Sequence, residues 1–400
     1  MTNSFVFHRK ELARRMADIA LGTDPLAGTS GLFLAAPRRT GKSTFLKTDL
    51  IPELEGRDVL PVYVDLWADR DRDPGEVISE RIKSTIQNYD AGALKLARSA
   101  GMSKIGIGSW LAIDIEKIGK PGGATIADAL DYLDKRAGLP IVLIIDEAQY
   151  ALTSQAGITA MFSLKSARDM LNIGAVGTDT SNVRLGLVFT GSYRDKLASL
   201  VLGRSQPFFG ASITNFPLLG SSFAEAYTDY INTRLADDRQ LVRKDVVRSF
   251  EVVAFRPELL QAAIREYAMG SIGEEEPRPS LVEQAFVVRD QYWQEFDSQW
   301  AAMTPLQQAV LRRIIEQGDK YKPFDADSLA AYSEISGQQV TVPDVQSARF
   351  AGGGEKQIRF NSSDGWPYAA RGFATSCTPR APRTFRMVSN SGLVSPLSAR

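Results

Sequence analysis

The stretch "FLAAPRRTGKSTFL", residues 33–46, decides the predicted fold. It differs at one position from the pattern G-x-x-x-x-G-K-[ST], whose backbone N–H groups surround a phosphate. Ala36 stands where the pattern has its first glycine, whereas Gly41, Lys42 and Ser43 match it. These residues alone leave three interpretations open: a working loop with a tolerated substitution, a decayed loop, or a chance match.

The loop carries the groups that phosphate chemistry needs. Lys42 would neutralise the β- and γ-phosphates of a nucleotide, and the hydroxyl of Ser43 would bind Mg²⁺. If position 36 required a positive φ, alanine would cost on the order of 1 kcal/mol in stability without removing a phosphate donor. The guanidinium groups of Arg38 and Arg39 are expected to contact neighbouring protein carboxylates more than the nucleotide. The predicted nucleotide-binding residues of the loop are Pro37, Arg38, Arg39, Thr40, Gly41, Lys42, Ser43 and Thr44.

Two carboxylates further along the chain supply the expected counterpart of the loop. In "IVLIIDEAQY", residues 141–150, Asp146 and Glu147 end a run of apolar residues. Adjacent buried carboxylates are unfavourable unless a cation or hydrogen-bond donors lie nearby, so the pair indicates a site. Asp146 would hold Mg²⁺ through water, and Glu147 would polarise an attacking water. The less favoured alternative is that both carboxylates are merely solvated at a strand end.

Short apolar runs alternate with helical patterns in the first half of the chain. "GLFLAA" runs into the loop, and further runs are "LPVYVDLW" (60–67), "IVLIIDEAQY" (141–150) and "RLGLVFTGSY" (184–193). Such strands predict an α/β fold with a parallel sheet that is covered on both faces. Ligands bind at the carboxyl ends of the strands in these sheets. Thr190 and Ser192 end the last run, where a hydroxyl could reach the γ-phosphate or the attacking water.

The later part of the chain differs in pattern from the first. Residues 104–123 alternate as a hairpin would, and a structural role is favoured for them over a functional one. From Phe223 the patterns are purely helical and predict a small helical domain. Residues 304–348 follow the order helix, helix, turn, capped helix, with Thr341 and Asp344 as a capping box. That order is typical of a helix-turn-helix unit.

The sequence changes character again at residues 349–400. This segment is rich in arginine, poor in carboxylates and without sustained periodicity. A disordered basic tail and an altered coding frame are both favoured over a nucleic-acid-binding arm.

The composition excludes several classes of function. Lys and Arg together number 47, as do Asp and Glu, so the chain has no net charge that would attract nucleic acid or a membrane. His8 is the only histidine and Cys377 the only cysteine, which argues against a histidine-based metal site and an internal disulfide. No signal peptide or membrane-spanning run is recognisable, so a cytoplasmic protein is expected.

Arginines are expected near the site because phosphoryl transfer needs positive charge beside the γ-phosphate. Arg204, in "LVLGRSQPFFG", and Arg256, in "AFRPELLQ", are the candidates. For each of them, an ordinary surface arginine is an equally good interpretation.

Taken together, five motifs resemble the AAA+ P-loop ATPases of the initiator-like and archaeal-ATPase group, which borders on the STAND signalling ATPases. They are "FVFHRKEL", "APRRTGKS", "VLIIDEAQY", "FTGSYRDKL" and "FRPELLQ", and the resemblance covers residues 5–300. It implies a three-layer P-loop NTPase fold with five strands, one of them inserted between those of the loop and of the Asp-Glu pair. The chain departs from the group at Ala36 and in "FRPELL", which only approximates the lid motif.

The resemblance also implies roles for single residues. Phe7, His8 and Arg9 would lie near the adenine of ATP. Ser192 would occupy the sensor position after the third strand, and Arg256 would open the lid helix that carries a second sensor. The implied domains are an ATPase core at 1–220, a helical lid at 221–300 and a winged-helix-like unit at 301–348, before the tail at 349–400.

These patterns favour an ATPase whose nucleotide state, with ATP and Mg²⁺, changes the angle between the sheet domain and the lid. Its candidate catalytic residues are Glu147, Ser192, Arg204 and Arg256. The alternative is a STAND-like adaptor that binds ATP, assembles with itself or a protein client, and turns ATP over slowly. A third hypothesis is a factor that binds DNA through its C-terminal unit. A helicase and a transporter ATPase are less favoured, since no further helicase motif and no LSGGQ-like signature are visible.

Overall fold

The computed structural model describes residues 5–24, 30–99, 118–119, 122–173, 183–192, 194–269, 279–317 and 320–350. Most of the predicted hairpin at 104–123 and residues 351–400 of the predicted tail lie outside this part of the chain. Among the described residues, no helix is both long enough and apolar enough to cross a bilayer.

Five parallel strands form one sheet at the centre of the first part of the chain. They are β1 (Leu32–Ala35), β2 (Leu60–Asp65), β3 (Ile141–Asp146), β4 (Leu185–Gly191) and β5 (Ile213–Asn215). Their order across the sheet is β2-β3-β4-β1-β5, and every neighbouring pair is parallel. β4 therefore lies between the strand of the loop and the strand of the Asp-Glu pair, which confirms the inserted strand that the resemblance implied.

Helices cover both faces of the sheet. The helices are α1 (Lys10–Ala20), α2 (Lys42–Phe45), α3 (Ile51–Glu55), α4 (Pro74–Ser99), α5 (Ile126–Ala137), α6 (Gln155–Asn172), α7 (Arg194–Ala198), α8 (Ser221–Asn232), α9 (Arg243–Val252), α10 (Pro257–Met269), α11 (Leu281–Ala301), α12 (Pro305–Gln317), α13 (Ala326–Ser336) and α14 (Val342–Phe350). Side chains of α4, α5 and α6 pack on one face of the sheet, and those of α1, α2 and α3 pack on the other. The predicted three-layer α/β fold is thereby confirmed.

β3 shows why its sequence is apolar throughout. Ile141, Leu143 and Ile145 belong to the cluster on one face of the sheet, while Val142 and Ile144 belong to the cluster on the other. Successive side chains of a strand point to opposite faces, so a strand covered on both sides needs an unbroken apolar run.

The helix after the loop is interrupted. The sequence predicts one helix over "KSTFLKTDLIPEL", but α2 passes into a wider π-helical turn at Leu46–Leu50 before α3. Pro52 has no N–H, and in a regular α-helix its ring would collide with the carbonyl oxygen of Thr48. The wider turn places the carboxylate of Asp49 in a buried position, where its side chain is 3% exposed.

Two further groups of helices have hydrophobic clusters of their own. Side chains of α8, α9, α10 and α11 form one cluster, and those of α12, α13 and α14 form another. Gly337 ends α13 with φ of +72°, and the backbone N–H of Thr341 donates to Oδ2 of Asp344 at 2.8 Å at the start of α14. The half of the predicted capping box in which Asp344 accepts from Thr341 is therefore present. Within residues 304–317 and 320–350 the structure describes helices and no wing strand.

Candidate nucleotide-binding site

The loop from Ala36 to Gly41 connects β1 to α2. Gly41 has φ of +82°, a left-handed conformation that glycine adopts without strain. Ala36 does not adopt a positive φ. Its side chain is buried in the hydrophobic cluster under the loop, and its N–H donates to the carbonyl oxygen of Gly191 at 3.1 Å. The strain considered for alanine at this position therefore does not arise.

The two arginines of the loop contact other parts of the protein. The guanidinium of Arg38 lies over the ring of Trp67, 4.4 Å from its centroid. Arg39 has φ of +66° and forms an ion pair of 2.9 Å with Glu258, in the first turn of α10. The loop is thus joined directly to the helical unit that begins at α8.

The loop lysine reaches the ends of two strands. Lys42 is 5% exposed, and its Nζ lies 3.2 Å from Oε1 of Glu147 and 3.3 Å from Oγ of Ser192. Glu147 follows β3 and Ser192 follows β4, so one buried ammonium group joins three elements at the carboxyl edge of the sheet. The structure therefore brings together three residues that the sequence places far apart.

The first carboxylate of the pair accepts four hydrogen bonds. Asp146 is 1% exposed. Its Oδ2 accepts from Oγ of Ser43 at 2.6 Å and from the hydroxyl of Tyr63 at 3.0 Å. Its Oδ1 accepts from the hydroxyl of Thr190 and from the backbone N–H of Glu147. These donors satisfy a buried charge that would otherwise be unfavourable.

Two oxygen-bearing groups of this cluster, those of Ser43 and Asp146, fit Mg²⁺. This ion prefers oxygen ligands and is usually held by one or two protein groups together with substrate phosphates and water. The hydroxyl of Ser43 and the carboxylate of Asp146 are such groups. They lie side by side where α2 begins and β3 ends, next to Lys42.

The second carboxylate is held on both of its oxygens. Oε1 of Glu147 accepts from Lys42 and from the hydroxyl of Ser192. Oε2 accepts from the backbone N–H of Ser192 at 3.3 Å and from the side-chain amide of Gln149. Burial disfavours the ionised form of Glu147, but the charge of Lys42 and these hydrogen bonds outweigh it, so the pKa of Glu147 is lowered. The carboxylate is therefore ionised at neutral pH.

The backbone of Glu147 is also unusual. Its φ is +57°, a left-handed conformation that costs a residue other than glycine roughly 1–2 kcal/mol. Such strain is often found at functional sites, where the surrounding structure imposes it. Here it turns the side chain of Glu147 towards Lys42 and Ser192.

His8 and Arg9, which are predicted to lie near the adenine, contact the helix that follows the loop (hereafter the loop helix, residues 42–55). Nδ1 of His8 lies 2.7 Å from Oδ1 of Asp49, and the backbone N–H of Arg9 donates to Oδ2 of Asp49 at 3.2 Å. The guanidinium of Arg9 donates to the carbonyl oxygen of Pro217 at 2.8 Å and lies over the ring of Phe216. Burial lowers the pKa of Arg9, and the charge of Asp49 only partly opposes this. The segment at 8–9 is thus fixed beside the loop helix.

Two predicted arginines do not join this group of residues. Arg204 is exposed, in the turns that follow α7. Arg256 lies in the helical unit, where its guanidinium donates to the hydroxyl of Tyr292 and covers the ring at 4.9 Å from its centroid. In the described part of the chain neither guanidinium contacts the loop at 37–44, so their catalytic roles stay predictions.

Sequence reasoning missed three residues of the site. Tyr63 and Gln149 each donate to one carboxylate of the pair, and Asp49 ties the N-terminal segment to the loop helix. Weak signals existed for two of them: a hydroxyl within an apolar strand and an amide two positions after the Asp-Glu pair. Asp49 gave no signal, because its burial depends on the π-helical turn.

Comparison with known proteins addresses the fold. The chain matches no protein-family profile and no curated protein sequence. Among solved structures it is similar to the Walker-type ATPase PABY2304 of Pyrococcus abyssi, with a TM-score of 0.52, 17% identity, and coverage of 86% of this chain and 88% of that chain. The chain has an AAA+-type P-loop ATPase fold. The Aeropyrum pernix ORC2 protein is also similar, with a TM-score of 0.47, 13% identity and 87% of each chain covered.

The P-loop fold explains why these side chains lie together. In this fold the loop after β1 and the carboxyl ends of the neighbouring strands face one ligand. Lys42, Ser43, Asp146 and Glu147 lie at that edge of the sheet and contact one another.

Proposed function

We propose that the protein binds ATP with Mg²⁺ at the P-loop and hydrolyses it to change the arrangement of the sheet and the helical unit. The observation that carries this proposal is the buried contact of Lys42 with Glu147. This contact supports the proposal because the residue that would neutralise phosphate and the residue that would act as general base lie 3.2 Å apart. The fold supports the proposal, and the side-chain roles rest on their chemistry.

Binding of the phosphates would use the loop and Lys42. Backbone N–H groups of the loop and of the following helix would donate to the phosphate oxygens, and Gly41 would leave room for their close approach. Lys42 would turn from Glu147 to the β- and γ-phosphates. Ser43 and Asp146 would hold Mg²⁺, which neutralises charge that develops on the phosphate oxygens.

Hydrolysis would use Glu147 as the proton acceptor. Once Lys42 pairs with phosphate, Oε1 of Glu147 loses a donor and can accept a hydrogen bond from water. The water oxygen then bonds to the γ-phosphorus while the bond to the ADP oxygen breaks, and the water proton passes to Glu147. ADP and inorganic phosphate result. The hydroxyl of Ser192, which donates to Glu147, would lie close enough to contact the γ-phosphate as well.

A route for the conformational change exists on both sides of the loop. Arg39 pairs with Glu258 of the helical unit. Phe5 and Phe7 pack against Phe223 of α8, with ring centroids at 6.0 and 5.7 Å, while the adjoining residues 8–9 hold the loop helix. A ligand in the loop therefore acts on residues that also contact the helical unit.

The test separates binding from turnover. Lys42→Ala should weaken ATP binding strongly, whereas Glu147→Gln should bind ATP as the wild type does and release phosphate about 10²–10⁴-fold more slowly. Lys135→Ala, which removes an exposed lysine paired with Asp131, is the matched control. Unchanged phosphate release by Glu147→Gln would remove the assignment of the base.

A second candidate function is the nucleotide-gated adaptor with little turnover. It is favoured by the four donors on Glu147, since a base whose oxygens are all occupied is poorly placed to accept a proton. Phosphate release and particle size by light scattering, measured together with ATP, distinguish the two. Growth in size without phosphate release would favour the adaptor.

We further propose that the C-terminal helices bind DNA. It is supported by the order of α13, Gly337 and α14, which matches that of a helix-turn-helix. Gln346 and Ser347 are exposed on α14, and changing both to Glu should weaken a salt-sensitive DNA complex. Changing exposed Thr159 and Ser166 of α6 to Glu adds the same charge elsewhere. DNA affinity that responds equally to both pairs would contradict a role for α14.

A further inference from the structure

A buried glutamine adjoins the candidate base. Gln149 lies in the short 3₁₀ turn Ala148–Thr153, and 5% of it is exposed. Its Nε2 donates to Oε2 of Glu147. Oε2 of Glu147 also accepts from the backbone N–H of Ser192, so it is an acceptor, and the amide orientation that presents the N–H₂ group to it is the favoured one.

The packing of the core does not explain an amide at this position. Among the residues that the structure describes, no donor lies within hydrogen-bonding distance of Oε1 of Gln149, and that atom is buried. An unpartnered buried amide oxygen destabilises a protein, and an apolar side chain of the same size would avoid this penalty. The presence of an amide here is explained instead by its nitrogen atom, Nε2, which donates to Glu147.

The neighbouring strand leaves room for this side chain. A Cβ atom placed on Gly191 would lie 2.7 Å from Oε1 of Gln149, which is closer than carbon and oxygen atoms can approach. Gly191 does not need a positive φ, so its backbone conformation is open to alanine. Oε1 of Gln149 would be the nearest atom to this Cβ, and Cβ of Leu197 would follow at 3.3 Å.

The four donors to Glu147 differ in what a phosphate would do to them. Lys42 would turn to the phosphates, which frees one position on Oε1. The donors on Oε2, the amide of Gln149 and the backbone N–H of Ser192, belong to groups that no phosphate would draw away. Oε2 would then remain fixed while Oε1 turns to water.

We infer that Gln149 is a positioning residue for the hydrolytic step, one that holds Oε2 of Glu147 so that Oε1 faces the attacking water. This inference rests on the proposed ATPase function. It assigns no contact between Gln149 and the nucleotide, so binding of ATP is independent of it. A misplacement of about 1 Å in a reacting group can lower a rate about 10²-fold, which sets the size of the effect.

The experiment compares full-length wild type with Gln149→Met, which keeps the length of the side chain and removes the amide. The exposed Gln155 of α6, changed to Met, is the matched control. Three quantities are measured: the Kd of ATP, the kcat of phosphate release, and the Kd of ADP in the presence of aluminium fluoride. The last combination resembles the γ-phosphoryl group in transfer, so groups that stabilise the transition state raise its affinity above that of ADP alone.

The expected result for Gln149→Met is an unchanged Kd of ATP, a kcat lowered about 10- to 100-fold, and loss of the extra affinity that aluminium fluoride gives to ADP. Urea unfolding is measured to verify that the variant is folded, because it loses both an unpartnered buried oxygen and a hydrogen bond to a charged group. Gly191→Ala, which displaces Gln149 without changing it, should produce the same selective loss. That variant keeps the test valid if Gln149→Met folds poorly.

Two outcomes would overturn the inference, and they are distinguishable. If the wild type shows the extra affinity with aluminium fluoride and both variants retain it along with kcat, Gln149 does not position Glu147. If the wild type itself neither releases phosphate nor gains affinity with aluminium fluoride, the proposed hydrolysis fails, and the role of Gln149 fails with it.

Discussion

The hydroxyl of Ser43 donates a hydrogen bond of 2.6 Å to Oδ2 of Asp146, although 103 positions separate these residues in the chain. Ser43 lies in α2, which follows β1, and Asp146 ends β3; these two strands are not neighbours, because β4 lies between them. All three strands are parallel, so their carboxyl ends share one edge of the sheet. This contact is where the two halves of the candidate Mg²⁺ site meet.

Removal of the Ser43 hydroxyl should separate metal-dependent from metal-independent binding. In Ser43→Ala we expect the Kd of ATP with Mg²⁺ to rise at least about tenfold, while the Kd without Mg²⁺ stays close to that of the wild type. Equilibrium binding of a fluorescent ATP analogue with and without Mg²⁺ measures both. Ser166→Ala, on the exposed side of α6, is the control. An equal change under both conditions would contradict a metal-ligand role.

Restoring the glycine of the loop pattern should not improve the loop. Ala36→Gly is expected to leave the Kd of ATP unchanged, because Ala36 has no positive φ to relieve. It should lower the free energy of unfolding by about 1 kcal/mol, since glycine is more flexible when unfolded and a buried methyl group is lost. Urea unfolding and ATP binding test the two parts. Tighter ATP binding by the variant would mean that alanine impairs the loop.

The hydroxyl of Tyr63 should stabilise Asp146. Tyr63→Phe removes one donor to Oδ2, and hydrogen bonds to charged groups contribute about 1.5–3 kcal/mol. We expect a decrease of that order in the free energy of unfolding, measured with urea. In the background of Asp146→Asn, whose side chain is uncharged, the same change should cost less. An equal cost in both backgrounds would show that Tyr63 acts through packing alone.

The capping box of α5 should make stability depend on acid pH. Hydrogen bonds from the hydroxyl and the backbone N–H of Thr125 hold the pKa of Asp128 below its usual value of 3.8. Because this pKa is lower in the folded than in the unfolded protein, the ionised carboxylate stabilises the fold at any pH above the unfolded-state pKa. The stabilisation is lost as the pH falls through the folded-state pKa. Asp128→Asn should therefore destabilise the protein at pH 6 and much less at pH 3. Asp131→Asn, on the same helix and outside the box, is the control for urea unfolding at both values.

The site could be predicted only in part from the chain. Lys42, Ser43, Asp146 and Glu147 were accessible because each stands in a short motif whose chemistry is local. Tyr63 and Gln149 were not, although each donates to one of the two carboxylates. Their roles depend on which strand lies beside β3 and on the space left by Gly191, and neither is encoded in a local pattern.

The sequence by itself determined the parallel sheet and the loop. An unbroken apolar strand such as β3 is stable only when covered on both faces, and Gly41 permits a φ that other residues adopt at a cost. The tertiary structure alone decided that Ala36 is unstrained, that Arg39 pairs with Glu258, and that Arg256 packs on Tyr292. The partner of each of these side chains belongs to an element that is distant in the chain. It therefore depends on the order of the strands and on how the helices pack, which no local pattern encodes.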